Sequence, residues 1–466
     1  MVFSSLEFIV FFFPIALLVN YLLPKKLQNC WLLAASLFFY AWGEPKFCFL
    51  LVLSIVFNYC AGLLLEKRHK KWIFAIILLL NLGTLFVYKY LNVTTVFLNT
   101  LNPGIKKTSI IIPLGISFYT FQAVSYIFDV YRGMKAEENF THFALYITFF
   151  PQLLQGPIIR YREFSPYLAP RKFEVGRFSE GVIRFLTGLN EKVLVADILS
   201  ELADAAFNNT GLSVCMAWLG MLAYALQIYF DFTGYSDMAI GLGKLFGFEL
   251  AENFNYPYIA ASVTDFWRRW HISLSSWFRD YLYFPLGGSR VKTKARVVLN
   301  LMIVWAATGI WHGAGLQFFV WGMLHGFFVT MEKMLGLPKW LKEHKVAGFL
   351  YRGVVLLVAM FGWVLFRVKD FPQAMGFYSS LFKLTGNAWR DSLFKFNSRE
   401  YIVTLIFALL CCTPVFKKIR LNLSSRGEKA EAAVNFVTFL IQFIMAIFSI
   451  SLLVVSTHDP FVYFNF

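Results

Sequence analysis

The sequence predicts an all-α polytopic membrane protein, on three observations. The chain is 58% hydrophobic and only 15% charged over 466 residues, whereas soluble domains run at about 45–50% apolar and about 25% charged. Its apolar runs are long and continuous, unlike the alternating segments of about 10 residues that build membrane β-barrels. Aromatic residues make 19% of the chain, with 54 phenylalanines, a composition suited to the membrane–water boundary. A soluble chain of this length would split into roughly three domains, and this composition lacks the charge to cover their surfaces. Disorder is excluded as well, because it requires low hydrophobicity.

The spans follow in order from stretches free of Asp, Glu, Lys and Arg, since a crossing helix needs about 20 mostly apolar residues. They fall at 8–24, 27–43, 47–65, 72–88, 108–128, 139–159, 205–230, 297–331, 353–366, 402–416 and 432–458. The first lacks a small-residue cleavage site and is expected to stay as a span. The region 180–200 is apolar but carries Arg184, Glu191, Lys192 and Asp197, as a further span lining an interior would. The run 297–331 is too long for one crossing and is expected to break at 309–315, where glycines cluster. The expectation is about 11–12 transmembrane helices plus re-entrant or interfacial pieces.

The charge excess of +16 sits in short clusters between apolar runs, so it sets topology and is not a nucleic-acid footprint. Lys25-Lys26 follows the first span, and Lys67-Arg68-His69-Lys70-Lys71 follows the third. Both loops fall on one side. The positive-inside rule makes that side cytoplasmic and the N-terminus extracytoplasmic. Lys417-Lys418-Arg420 and Arg426-Lys429 read as another cytoplasmic loop, and the last span carries the C-terminus outside. The six cysteines lie in or beside apolar runs with no CxxC spacing, which reads as small buried hydrophobes rather than disulfides or zinc ligands. No internal repeat is evident, against the two-halves design common in secondary transporters.

The stretch 264–284, TDFWRRWHISLSSWFRDYLYF, is read as one amphipathic helix. Phe266, Trp270, Leu274, Trp277 and Tyr281 share a face, charged residues crowd the rest, and Thr264 or Asp265 serves as its N-cap. Such a helix lies in the interface or lines a polar cavity.

His312 stands in GIWHGAGLQFFVWGMLHG, 309–326, inside the longest uncharged run. Ionisable groups at membrane depth are costly and face a bundle interior or watery cavity. Neutral imidazole can take a proton from a hydroxyl or thiol near physiological pH. A core histidine hydrogen-bonded to a neighbour fits the position equally well. For His325 the bland reading is helix packing, and for His271 a headgroup-facing side chain. Gaps of 41 and 13 residues between them show no metal-ligand spacing, so no metal is expected. No G-x-S-x-G elbow or Walker A loop is present. Asp231 and Asp237 stand amid apolar residues with Ser236, and ion pairs with Arg268, Arg269 or Arg279 are the expected role.

At these residues the chain resembles the membrane-bound O-acyltransferase superfamily, in particular its bacterial alginate O-acetylation branch. The resemblance rests on PLGISFYTFQAVSYIFDVYRG (113–133), FPQLLQGPIIRYREF (150–164), FDFTGYSDMAIGLGKLFGF (230–248), NFNYPYIAASVTDFWRRWHISLSSWFRDYLYFPLGG (253–288) and the 309–326 segment. It covers about 1–460 in layout. It implies one transmembrane domain over 1–466, with a catalytic core at about 110–330 and helices ringing a central tunnel.

The family's invariant WHG histidine falls on His312 and its RWH histidine on His271, which implies catalytic roles for both. His325 matches a trailing HG pattern. Trp311, His325, Arg268, Arg269, Arg279, Asp231 and Asp237 are implied as tunnel or substrate contacts, the arginines for the phosphates of a CoA-type donor.

The resemblance further implies acetyl-CoA as acyl donor substrate, with no bound cofactor. It implies an extracytoplasmic SGNH-type acetyltransferase partner, a polysaccharide acceptor such as an alginate-like exopolysaccharide, cellulose or peptidoglycan, and a bacterial cytoplasmic membrane location. Three rivals stand beside this reading: a D-alanyl transfer protein for teichoic acid, a lipid or polysaccharide transporter without catalysis, and a structural membrane scaffold.

Overall fold

The computed structural model describes residues 1–384 and 386–455. Among them every regular element is helical. The helices used below are α1 (Phe13–Leu22), α2 (Gln28–Gly43), α3 (Pro45–Arg68), α4 (Lys71–Leu101), α5 (Ile116–Tyr131), α6 (Phe140–Thr148), α7 (Val175–Glu191), α8 (Val214–Leu245), α9 (Val263–Trp267), α10 (Ile272–Phe278), α11 (Lys294–His312), α12 (Leu316–Met334), α13 (Lys345–Arg367), α14 (Ile402–Cys411), α15 (Val415–Ser424) and α16 (Glu428–Val455).

Six described helices are long and apolar enough to cross a membrane: α3, α4, α8, α11, α13 and α16. The pair α14 and α15, bent by 57°, brings the number to seven if it is one span. The other apolar runs are shorter helices. The 139–159 run breaks after nine residues of α6, where Phe149 leaves the helical region and Pro151 follows in a separate short turn. The 205–230 run breaks at the polar stretch 208–213 before α8 begins. The last run, 432–458, is described only to Val455, and 456–458 lie outside the described residues.

Large side chains left facing outward confirm the membrane setting. Leu79 is 70% exposed and Val454 65%, as apolar surface that faces lipid would be. The apolar window of α16 is 11% buried within the protein, whereas that of α8 is 78% buried. Thus α8 is an interior helix, and polar residues such as Asp231 can ride on it.

The chain divides into two compact units, Met1–Phe185 with Tyr235–Glu252, and Leu186–Gly234 with Asn253 onward. The first unit explains much of the phenylalanine content. Phe3, Phe8, Phe12, Phe39 and Phe150 form a continuous ring cluster, and Tyr235 stacks on Phe3 at 4.7 Å. Most of the tryptophans lie in the second unit. Trp267, Trp270, Trp305, Trp321 and Trp363 all lie in one buried cluster.

The 264–284 stretch is not one helix. It consists of α9, a turn at 268–271, α10, and a widened π-helical end at Arg279–Tyr283. His271 at the turn has φ 44°, in the left-handed region, which an uninterrupted helix cannot contain. The N-cap is Ser262, whose side chain accepts from Asp265 N–H, rather than Thr264 or Asp265.

Candidate active site

The site is built within the second unit by the α11–α12 hairpin. As expected, the long apolar run breaks at its glycines: α11 ends at His312, Gly313 is extended, and α12 restarts after Gly315. The two helices touch backbone to backbone. A Cβ on Gly309 would lie 2.5 Å from the Phe318 carbonyl oxygen, and one on Gly322 would lie 2.4 Å from that of Trp305. Only glycine allows this approach, and it brings the end of α11 against the first half of α12.

That contact places two histidines on one indole. The His312 ring packs T-shaped on Trp321 at 4.9 Å, and the His325 ring packs T-shaped on the same indole at 5.2 Å. Trp311 at 4.8 Å and Phe366 from α13 at 4.9 Å complete the walls around His312. Only 3% of His312 is exposed. Its ring stands at a helix C-terminus, where unsatisfied carbonyls carry partial negative charge.

His325 is fully buried and boxed by Trp267, Trp305 and Trp321. Both of its ring nitrogens lack a hydrogen-bond partner. A buried polar group left so costs about 1–3 kcal/mol. Gly362 on α13 leaves the room, since a Cβ there would sit 2.8 Å from His325 Nε2.

His271 occupies a separate polar seat. Its Nδ1 is 3.1 Å from Asn253 Oδ1. That oxygen also accepts from Ser273 N–H at 3.2 Å and Ser273 Oγ at 2.9 Å, so it is an acceptor and Nδ1 carries the hydrogen. The lone pair therefore lies on Nε2, which is buried and without a partner. Phe232 covers the ring edge-on at 4.7 Å. His271 lies outside the candidate membrane-spanning helices, and burial pushes its imidazole down to about 3. It is neutral at physiological pH, with Nε2 available to accept a hydrogen bond.

The charged residues find partners other than those expected. Asp231 pairs with Lys192 at 2.8 Å, and Lys192 also meets Asp197 at 2.6 Å. Asp237 pairs with Arg184 at 2.7 Å, which also binds Glu252. Ion pairing is the role observed, but not with Arg268, Arg269 or Arg279. Asp231 and Asp237 stand six residues apart on α8, about 240° around the helix, so they meet different neighbours. Arg269 instead pairs with Asp265 and Arg279 with Asp280, while Arg268 is exposed.

The sequence reading missed Asn253, Ser273 and Trp321, and it named Lys192 without its partner Asp231. It also missed Glu332, wholly buried on α12. Its carboxylate accepts from Val263 N–H at 2.6 Å and from Thr264 N–H at 2.8 Å, capping α9 and seating Trp267 beside His325. A carboxylate at the end of the longest uncharged run was the available signal.

A helical, multi-pass membrane protein with three buried histidines, two of them packed on one indole, is the class these features define. Residues 139–368, which contain all three histidines, match the membrane-bound O-acyltransferase family. The chain belongs to that family and is an O-acyltransferase. It is 41% identical to the probable alginate O-acetylase AlgI of Azotobacter vinelandii over 82% of this chain and 78% of that one. It is 36% identical to the probable alginate O-acetylase AlgI of Pseudomonas putida over the whole of both. The peptidoglycan O-acetyltransferase of Helicobacter pylori is 35% identical over 83% of this chain and 80% of its own length.

Proposed function

We propose that this protein takes acetyl groups from acetyl-CoA at the cytoplasmic face of a bacterial inner membrane and passes them towards hydroxyls of an extracytoplasmic polysaccharide. The relatives whose names specify O-acetylation of alginate or of peptidoglycan support acetyl as the group moved. The observation that carries the catalytic assignment is His312, buried at the broken end of α11 within the family segment.

In this reading His312 accepts the proton of an acceptor hydroxyl as its oxygen attacks the acetyl thioester carbonyl. The carbon–sulfur bond breaks, and the imidazolium returns the proton to the leaving CoA thiolate. Partial negative charge at the α11 C-terminus stabilises the charge developing on the ring. General base catalysis supplies about 10²–10⁴-fold, and positioning must supply the rest. His271, with its Nε2 lone pair open, orients the acceptor or assists its proton transfer. The exposed Arg268 is suited to the phosphates of the donor. An extracytoplasmic SGNH-type partner completes transfer to the sugar, and the N-terminus faces that same side.

The test is acetate content of the host's surface polysaccharide with His312→Ala. Loss of acetate at unchanged membrane insertion is expected, and retained acetylation overturns the assignment. Purified protein given labelled acetyl-CoA should label a candidate partner. Label arriving only from a D-alanyl carrier would favour the teichoic-acid reading, to which the 31% identity with the Bacillus subtilis teichoic acid D-alanyltransferase over 55% of this chain is relevant.

A further inference from the structure

We propose that a groove between α3 and α4, in the first unit, binds one anionic phospholipid. The two helices join through a tight turn at His69 and Lys70, and both pack on α5. Between them lies a cavity of about 650 Å³ lined mainly by carbon, including Phe57, Leu64, Trp72 and Ile76, with Arg68 and Lys70 at its mouth. Leu64 is 47% exposed and Ile76 48%, so the groove opens sideways to the membrane, not into the protein core.

Its dimensions fit one lipid chain. The lining runs from Val56 to Arg68 on α3, about 18 Å along a helix. One leaflet of hydrocarbon is about 15 Å deep, half of the usual core. At the inner end Asn58 and Asn81 exchange side-chain hydrogen bonds at 3.0 and 2.9 Å and clasp the helices together, which closes the groove near mid-membrane depth.

The charge at the mouth selects the headgroup. Lys67, Arg68, Lys70 and Lys71 are all exposed, and among the described residues none of them forms an ion pair. Glu66 is the single acid in that stretch. The His69 ring turns aside to stack on Tyr131 at 5.0 Å. Lys70 offers no side-chain cap to α4, so that helix presents free N–H groups where a phosphate would sit. Trp72, 60% exposed, stands at the level where indoles anchor to headgroups. An apolar slot one leaflet deep below an unpaired basic cluster is the arrangement that holds an anionic lipid.

The experiment is native mass spectrometry of the full chain in detergent, titrated with phosphatidylglycerol or phosphatidylcholine of the same acyl chains. The proposal expects phosphatidylglycerol to bind at least about tenfold more tightly. Arg68→Gln with Lys70→Gln should weaken it about 30-fold and leave phosphatidylcholine unchanged. Lys106→Gln with Lys107→Gln, an equal charge loss beyond the other end of α4, should change neither. Leu64→Trp, which fills the slot, should weaken both. Equal affinity of the native chain for the two lipids, equal loss in both double variants, or no effect of Leu64→Trp would each overturn it.

Discussion

His271 owes its chemistry to its neighbours. The amide oxygen of Asn253 fixes the hydrogen on Nδ1 and leaves Nε2 as the acceptor. Asn253→Leu should release the ring and strand the donors of Ser273, at about 1–3 kcal/mol. It should also lower kcat more than about tenfold, whereas Asn253→Asp, which can still accept, should keep most of the activity. An acetyl-transfer assay on both variants checks this. Burial holds the imidazole near 3 against 6.5 in the open chain, so between those values the folded state binds fewer protons than the unfolded one. Stability from this group is therefore complete above about pH 6.5 and lost as pH falls towards about 3. Melting in detergent should decline across that window, less steeply for His271→Gln.

His312 and His325 were legible as residues, because an ionisable group in an uncharged run stands out, whereas His271 was legible only through the RWH resemblance. The surroundings of all three were not. Asn253 lies 18 residues from His271, and Trp321 joins His312 to His325 only because the hairpin folds back.

At the scale of elements, the α11–α12 hairpin and the short α9 do the positioning. The break at the 309–315 glycines was readable from sequence, since glycine spacing and run length both demand it. The direct backbone contact was not, as it depends on which glycines face each other. Gly309→Val should drive a side chain into the Phe318 carbonyl, costing about 1–3 kcal/mol or more. Lower yield of monodisperse protein and loss of activity should appear together. Glu332→Ala should orphan the N–H groups of Val263 and Thr264. The cost should be about 1–2 kcal/mol in thermal unfolding, and a fall in activity is expected as Trp267 loosens.

The failure of the 264–284 reading has a physical cause. The apolar spacing there is helical, yet the backbone must turn at His271 to pair Ile272 N–H with Asn253 and Asn255 N–H with Arg269. Periodicity reports which faces are buried, not whether the backbone runs unbroken between them.

At the scale of the molecule, topology follows from where the basic residues gather. If the 67–71 turn is cytoplasmic, a single cysteine at Lys70 should resist a membrane-impermeant thiol reagent in intact cells. One at Lys106, across α4, should react. The background must lack all six native cysteines, since Cys30 and Cys60 are exposed. The reverse pattern would invert the chain and put the proposed donor on the wrong side.

Composition and hydropathy were sufficient for the membrane class, the helical architecture and the histidines of the 297–331 run, because burying a charge in hydrocarbon is so costly that every exception is visible. Motif resemblance was sufficient for the family. Folding alone selected Lys192 and Arg184 as the partners of Asp231 and Asp237, brought His312 and His325 to one indole, and gave His271 its tautomer. Each of these depends on side chains far apart in sequence meeting at distances of a few ångströms, which helix packing sets and local periodicity does not encode.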